Sequence, residues 1–296
     1  MKFNYTSFLT FLFVLIFLES YGQSNLLNAV DPIDVGKKNI DQKQTDTDSF
    51  LDYNFIDDRD ILWSKIVYEY IDLDEKLNFP MLFPVLDDPN ERIRKSLWRV
   101  IRENIINGNI TKIYDGSEDN FNYPMQGYDG DSTSVKSRIS YIKTFPGTDS
   151  DPEERELRSD DITGYKIKGM WYFDKKIGEM RYRLLGLMPI GWEIQKSRED
   201  DDEKNTNLFW LWYPSIRKVL HEAEVYNDKN NATRISFDQL LVSRRFNSYI
   251  YKEDNMYGNR PISGPTGYKK PGLETILESE RIKKEILDFE QDMWNR

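Results

Sequence analysis

Two neighbouring runs of aromatic and branched residues, 165–173 and 179–188, constrain this chain more than any other feature. Such side chains suit a pleated surface that is at least half covered. The five residues between the runs, Asp174-Lys175-Lys176-Ile177-Gly178, close on a glycine, so they predict a hairpin turn. A third run, 208–213 (LFWLWY), is apolar on both faces. A strand of that kind sits centrally in a sheet or against another subunit.

Helical patterns surround these strands. Asp57 and Asp58 precede Leu62, Trp63, Ile66, Val67 and Tyr70, whose three-and-four spacing predicts a capped helix that stops before Pro80. A second helix is expected over 92–106, with Leu97, Trp98, Ile101 and Ile105 inward and Asn107-Gly108 ending it. Residues 110–114 read as a short strand. Ser236 caps a helix that carries Leu240, Leu241 and Phe246 inward and ends extended near Tyr251. After a Gly- and Pro-rich loop, a final helix is expected over 273–294, with an inward stripe of Ile282, Ile286, Phe289 and Met293. The fold class that follows is α+β: a mixed sheet with flanking amphipathic helices, an extended N-terminal arm, a long central loop and a C-terminal helix.

The organisation along the chain follows the same patterns. Residues 1–22 carry Lys2, an apolar run over 8–18 and small residues before Gln23, which is the order of a secretory signal. The run is about half the roughly 20 residues a spanning helix needs, so export with cleavage is expected rather than anchoring. Residues 23–50 form an extended arm, apolar only at its start, at Leu26, Leu27, Ala29 and Val30. The arm is either a hook for a neighbouring subunit or an unstructured mature start. Residues 51–114 make a helical N-terminal part of the core, 115–161 a linker or loop, and 162–296 an α+β C-terminal part. There is no cysteine, so disulfides, thiol chemistry and a lipidated N-terminal cysteine are excluded. An exported chain without such staples needs a real core, and 39% hydrophobic with 14% aromatic residues permits one.

Chemistry is hard to find in the sequence. The formal net charge of −10 has the wrong sign for neutralising phosphates, so nucleic acid and anionic membrane surfaces are not expected partners. The single histidine, His221, has no serine elbow to serve and excludes two-histidine metal sites. The acidic groups Asp57/Asp58/Asp60 and Asp72/Asp74/Glu75 are accounted for by caps and turns. No catalytic, metal-ligating or cofactor-binding residue is assigned, and no cofactor is expected. What remains is recognition surface: Trp, Tyr and Arg are enriched at interface hot spots. Candidate interface residues are Leu26, Leu27, Trp210, Trp212, Arg244 and Arg245. Trp210 and Trp212 share one face of their strand, opposite Phe209 and Leu211, and Arg244 and Arg245 cannot both face the core.

Several long segments carry a family resemblance: LLNAVDPIDVGKK at 26–38, YNFIDDRDILWSKIVYEYIDLDEKLNFP at 53–80, IKGMWYFDKKIGEMRYRLLGLMPI at 167–190, FWLWYP at 209–214, ISFDQLLVSRRFNSYIYKEDNMYG at 235–258 and LESERIKKEILDFEQDMWN at 277–295. In this order they resemble the GldN/PorN family of the gliding-motility and type IX secretion apparatus of Bacteroidetes. The resemblance implies a periplasmic, non-enzymatic subunit at the inner face of the outer membrane. It implies assembly into a large ring with an outer-membrane lipoprotein of the GldK/PorK type, together with contact to the periplasmic parts of GldL/GldM-type motor proteins. No membrane span of its own is expected. A secreted carbohydrate-binding or glycoside-active protein is the alternative reading, since tryptophans stack on sugars and carboxylates are plentiful.

Overall fold

The expected hairpin is the spine of the molecule. A computed structural model describes residues 49–86, 95–117, 119–122, 124–125, 140–143, 153–191, 206–225, 235–256, 258–264 and 266–294. Strands β1 (Ile61–Asp72), β2 (Tyr114–Asp115), β3 (Ser140–Lys143), β4 (Glu153–Glu156), β5 (Ile162–Asp174), β6 (Glu179–Gly191), β7 (Thr206–Asn207), β8 (Phe209–Trp212) and β9 (Tyr249–Glu253) alternate with helices α1 (Phe79–Leu82), α2 (Leu97–Ile106), α3 (Tyr213–Glu222), α4 (Phe237–Val242) and α5 (Leu273–Trp294). The main sheet runs β2-β8-β6-β5-β1-β9, with β7 also on β6, while β3 and β4 pair separately. The α+β class holds, and every strand pairing described is antiparallel rather than mixed.

The turn between β5 and β6 shows why its sequence works. Asp174 Oδ1 accepts from the backbone N–H groups of Lys176 at 2.9 Å and Ile177 at 3.3 Å, and the Asp174 carbonyl accepts from Gly178 N at 2.7 Å. An aspartate side chain that bonds two residues ahead is a turn-former in its own right. Gly178 adopts φ of 75°, which a side chain would strain.

β1 corrects the first helix expectation. Residues 61–72 pair with β5 in continuous register from Trp63↔Phe173 to Asp72↔Gly164, and Asp57 caps only a 3-10 turn, accepting from Arg59 N at 3.0 Å. The misreading has a physical cause. Trp63, Val67 and Ile71 point to one face and Ile66, Tyr68 and Tyr70 to the other, so apolar residues fill both periods at once. The expected strand at 110–114 is reduced to β2, and the expected strand at 208–213 ends at Trp212 because Tyr213-Pro214 begins α3. α2 begins after Ser96, whose hydroxyl accepts from Arg99 N at 3.1 Å. The expected start at 92 lies outside the described residues. α5 matches its expected span, whereas α4, capped by Ser236, ends at Val242, so Phe246, expected on the helix, is buried from the turn beyond it.

The helices cover one face of the sheet. Residues of α1 to α4 (Met81, Leu97, Ile101, Ile216, Leu220, Phe237, Leu241) join Ile71, Tyr165, Ile167, Leu184, Leu187, Phe209 and Leu211 in the main core. Over the β1–β9 end of the same face, Ile282 and Ile286 of α5 pack on Val67 and Ile250, with Trp63 stacked on Phe289. No helix among the described residues is long and apolar enough to cross a membrane.

Candidate functional site

The other face of the sheet is built differently. Tyr68, Met188 and Trp210 are buried there, and the residues packed on them are Ile66, Tyr114, Phe121 and Tyr251, from strands and from the segment after β2. Strand alternation puts Lys166 and Lys168 of β5 and Lys252 of β9 on this face, beside Tyr70 and Tyr68 in the register. Lys168 Nζ lies 5.2 Å from the Tyr68 ring and 5.4 Å from the Phe121 ring, Lys252 Nζ 4.6 Å from Tyr68, and Lys166 Nζ 5.0 Å from Tyr251. Such contacts are worth about 0.5–2 kcal/mol, more where water is excluded.

A strap from the loop after β2 is docked on two of these lysines, Lys168 and Lys252. Lys168 Nζ donates to the Asp119 carbonyl at 2.7 Å, and Lys252 is ion-paired with the Asp119 carboxylate. Lys166 donates to Asn207 Oδ1 at 2.9 Å. Burial lowers the pKa of Lys166, and it lowers that of Lys168 despite the opposing pull of Asp119 and Asp254. The Phe121 ring sits edge-on to Tyr114, Trp210 and Trp212 at 5.3, 5.8 and 5.0 Å. Gly186 makes that seat possible, since a Cβ there would come within 2.6 Å of Phe121 Cζ. Phe121 itself has φ of 56°, an unfavourable conformation for a bulky residue that the surrounding rings hold in place.

Arginines organise the helix-covered side. The Arg244 guanidinium forms a two-pronged pair with the buried Glu69 carboxylate at 3.0 and 2.7 Å and lies over the Tyr182 ring at 4.3 Å. Burial opposes its charge, but Glu69 outweighs that and raises the Arg244 pKa. Arg217 makes a second such pair with Asp238, at 2.9 and 3.0 Å, and the Tyr213 hydroxyl donates to Asp238 at 2.8 Å. Phe50 and Tyr53 stack on the Arg217 guanidinium at 4.6 and 4.3 Å, so the segment entering β1 is pinned to α3. Tyr53 also donates to the Leu184 carbonyl at 3.2 Å, and Arg183 donates to the Asn54 carbonyl at 2.6 Å.

The sequence-derived candidates are distributed as follows. Trp210 and Trp212 share the strap-covered face; Trp210 is buried and Trp212 half-buried, both against Phe121. Arg244 turns inward to Glu69, and Arg245 is exposed. Leu26 and Leu27 lie outside the described residues. His221 meets the edge of the Phe50 ring at 6.2 Å. The three lysines and Asp119 were not singled out from sequence. The period-two placement of Lys166 and Lys168 was a visible signal, but Asp119, whose carbonyl meets Lys168 and whose carboxylate meets Lys252, lies 49 residues from the first and 133 from the second. Among the described residues, no group of three or more His, Cys, Asp or Glu is placed to hold a metal ion. The arrangement is that of charge-paired, ring-stacked side chains that hold distant segments of the chain together.

The buried tyrosines carry a pH signature. Burial raises Tyr53 and Tyr70 to about 12, raises Tyr68, Tyr182 and Tyr251 further, and raises Tyr213 well above its ordinary value. A group whose pKa is raised by folding contributes stability that is complete below its unfolded value, near 10, and is lost as pH rises through the folded value. The melting temperature is therefore expected to hold to about pH 10 and to fall steeply from there to about pH 12. Melts across that range, paired with ultraviolet titration, check this. Full tyrosine ionisation near pH 10 with the fold intact would contradict it.

The family model described as "Gliding motility associated protein GldN" matches residues 56–295, from just ahead of β1 to the end of α5. No curated protein matches the sequence. The match takes in every strand of the sheet, the strap on its open face and both arginine pairs, and on that extent the chain belongs to the GldN family of gliding-motility-associated proteins.

Proposed function

We propose that this protein is a non-enzymatic structural subunit of the type IX secretion and gliding machinery. In this reading it acts in the periplasm after removal of residues 1–22. It joins an outer-membrane lipoprotein of the GldK/PorK type in a large ring and meets the periplasmic parts of GldL/GldM-type motor proteins. Family membership over residues 56–295 is the observation that carries the reading.

The test is reconstitution of the mature chain with its lipoprotein. A large stable complex is expected, and a monodisperse monomer that ignores the lipoprotein would refute the proposal. Arg245 gives a residue-level version. It is exposed, so Arg245→Glu is expected to weaken lipoprotein capture at least several-fold by placing like charge against an acidic partner. The melting temperature should not move. Undiminished capture in a pull-down would remove Arg245 from the interface. The carbohydrate reading requires an open tryptophan beside two carboxylates. Of the tryptophans at 63, 98, 171, 210 and 212, Trp98 and Trp210 are buried, and Trp63, Trp171 and Trp212 are half-buried against other rings.

A further inference from the structure

Helix α5 is apolar on two opposite sides. Its inner side carries Thr275, Ser279, Ile282 and Ile286, all buried, with the two isoleucines packed on Val67 of β1 and Ile250 of β9. About half a turn away, at 100° per residue, Leu273, Ile276, Leu277 and Leu287 form a second stripe, exposed at 70%, 52%, 59% and 50%. A surface helix normally presents polar residues there. Within this stripe stand two exposed charges of opposite sign, Glu280 and Lys284. Glu280 touches Lys283 at 3.1 Å, yet its side chain remains 63% exposed. An exposed ion pair of that kind is weak and leaves the carboxylate able to take a second partner.

The order of these residues is self-complementary. Leu273, Ile276, Leu277 and Glu280 are spaced i, i+3, i+4, i+7, which is the four-residue hole that accepts one knob from a facing helix. Leu287 is the stripe's isolated apolar knob. If a second copy's α5 is laid antiparallel, with Ile282 of the two copies at the same level, Leu287 of each enters the hole of the other. The same superposition sets Glu280 of each copy opposite Lys284 of the other, twice over. A parallel arrangement would set Glu280 against Glu280 and Lys284 against Lys284.

We infer that the outer stripe of α5 is an isologous interface that pairs two copies of this chain through antiparallel α5 helices. Apolar area and charge register both select a second copy as the occupant. The inference goes beyond the ring reading, because a two-fold contact closes on itself while a ring requires a repeated head-to-tail contact. It would join two chains whether or not each also sits in a ring. The stripe, from Leu273 to Leu287, is about 21 Å long on a single helix face, so the pairing belongs to the weak, concentration-dependent class of interface.

The experiment is sedimentation velocity of the purified mature chain across the micromolar range. A reversible monomer–dimer equilibrium is expected. Glu280→Lys and Lys284→Glu are each expected to move its midpoint to about tenfold higher concentration, since each turns two attractive contacts into two repulsive ones. An equimolar mixture of the two variants should recover wild-type dimerisation, because the mixed pair is charge-matched at both contacts. Leu287→Asp, at a half-exposed position, should abolish pairing without changing the circular dichroism spectrum. A wild-type chain that stays monomeric throughout overturns the inference, as does a dimer indifferent to all three variants. So does a stripe that becomes protected only when the lipoprotein is added. A chain that stays monomeric, or a dimer indifferent to the variants, leaves lipoprotein capture untouched, and protection by the lipoprotein would overturn this inference while supporting that capture, so the two proposals fail separately.

Discussion

Replacing Asp238 by alanine is expected to remove about 3–5 kcal/mol of folding stability, the cost of breaking a buried ion pair by deleting one partner. Asp238 is 4% exposed and Arg217 is 3% exposed. Truncation would leave the guanidinium buried with stacked rings but no counter-charge, and would take away the acceptor of the Tyr213 hydroxyl. Against a typical total of about 5–15 kcal/mol, such a loss moves the denaturant midpoint far enough to be unmistakable. Asp238→Asn keeps the volume and one acceptor oxygen, so it should lose less. Chemical denaturation of the two variants checks the ordering. A loss below about 1 kcal/mol for the alanine variant would mean that Arg217 finds another anion or water, and that the pair does not hold the entering segment.

Trp210→Ala is the second large effect, at about 3–5 kcal/mol. The Trp210 ring lies between the sheet and the strap, against Phe121, with Tyr68 and Met188 in the same buried cluster. Removing it opens a cavity under the Phe121 ring, whose backbone has φ of 56°. Trp212, half-buried at the rim, should cost about 1 kcal/mol when truncated. The pair of variants separates core from interface. If Trp210→Ala retained full stability and lost only complex formation, Trp210 would be a contact for another subunit. The geometry expects the reverse.

The legibility of the fold follows how locally each feature is determined. The β5–β6 hairpin was readable because Asp174 and Gly178 impose the turn within five residues, and the flanking runs suit only a pleated surface. α4 announced itself through Ser236, and α5 through a long inner stripe of Ile282, Ile286 and Phe289. β1 was misread because both of its faces are covered, one by helices and one by Tyr251 and the lysine side chains, so its apolar pattern fits either period. For the interface candidates, the alternation of Trp210 and Trp212 against Phe209 and Leu211 was visible. The strap that covers those tryptophans was not. The exposure of one arginine of the Arg244-Arg245 pair was also foreseeable, since adjacent residues in a turn diverge, but Glu69 as the partner of Arg244 lies 175 residues away.

By itself, then, the sequence determined what short-range physics decides: a cysteine-free chain held by an aromatic core, a central hairpin, a capped short helix, a long terminal helix and a net negative surface. Only the tertiary structure decided that residues 61–72 form a strand, that Asp119 pairs its carboxylate with Lys252 and its carbonyl with Lys168 on the strap-covered face, and that Trp210 is interior. The reason is the same in each case. A backbone period or a turn is set by neighbours in the chain, whereas burial and ion pairing are set by whichever distant segment arrives to exclude water.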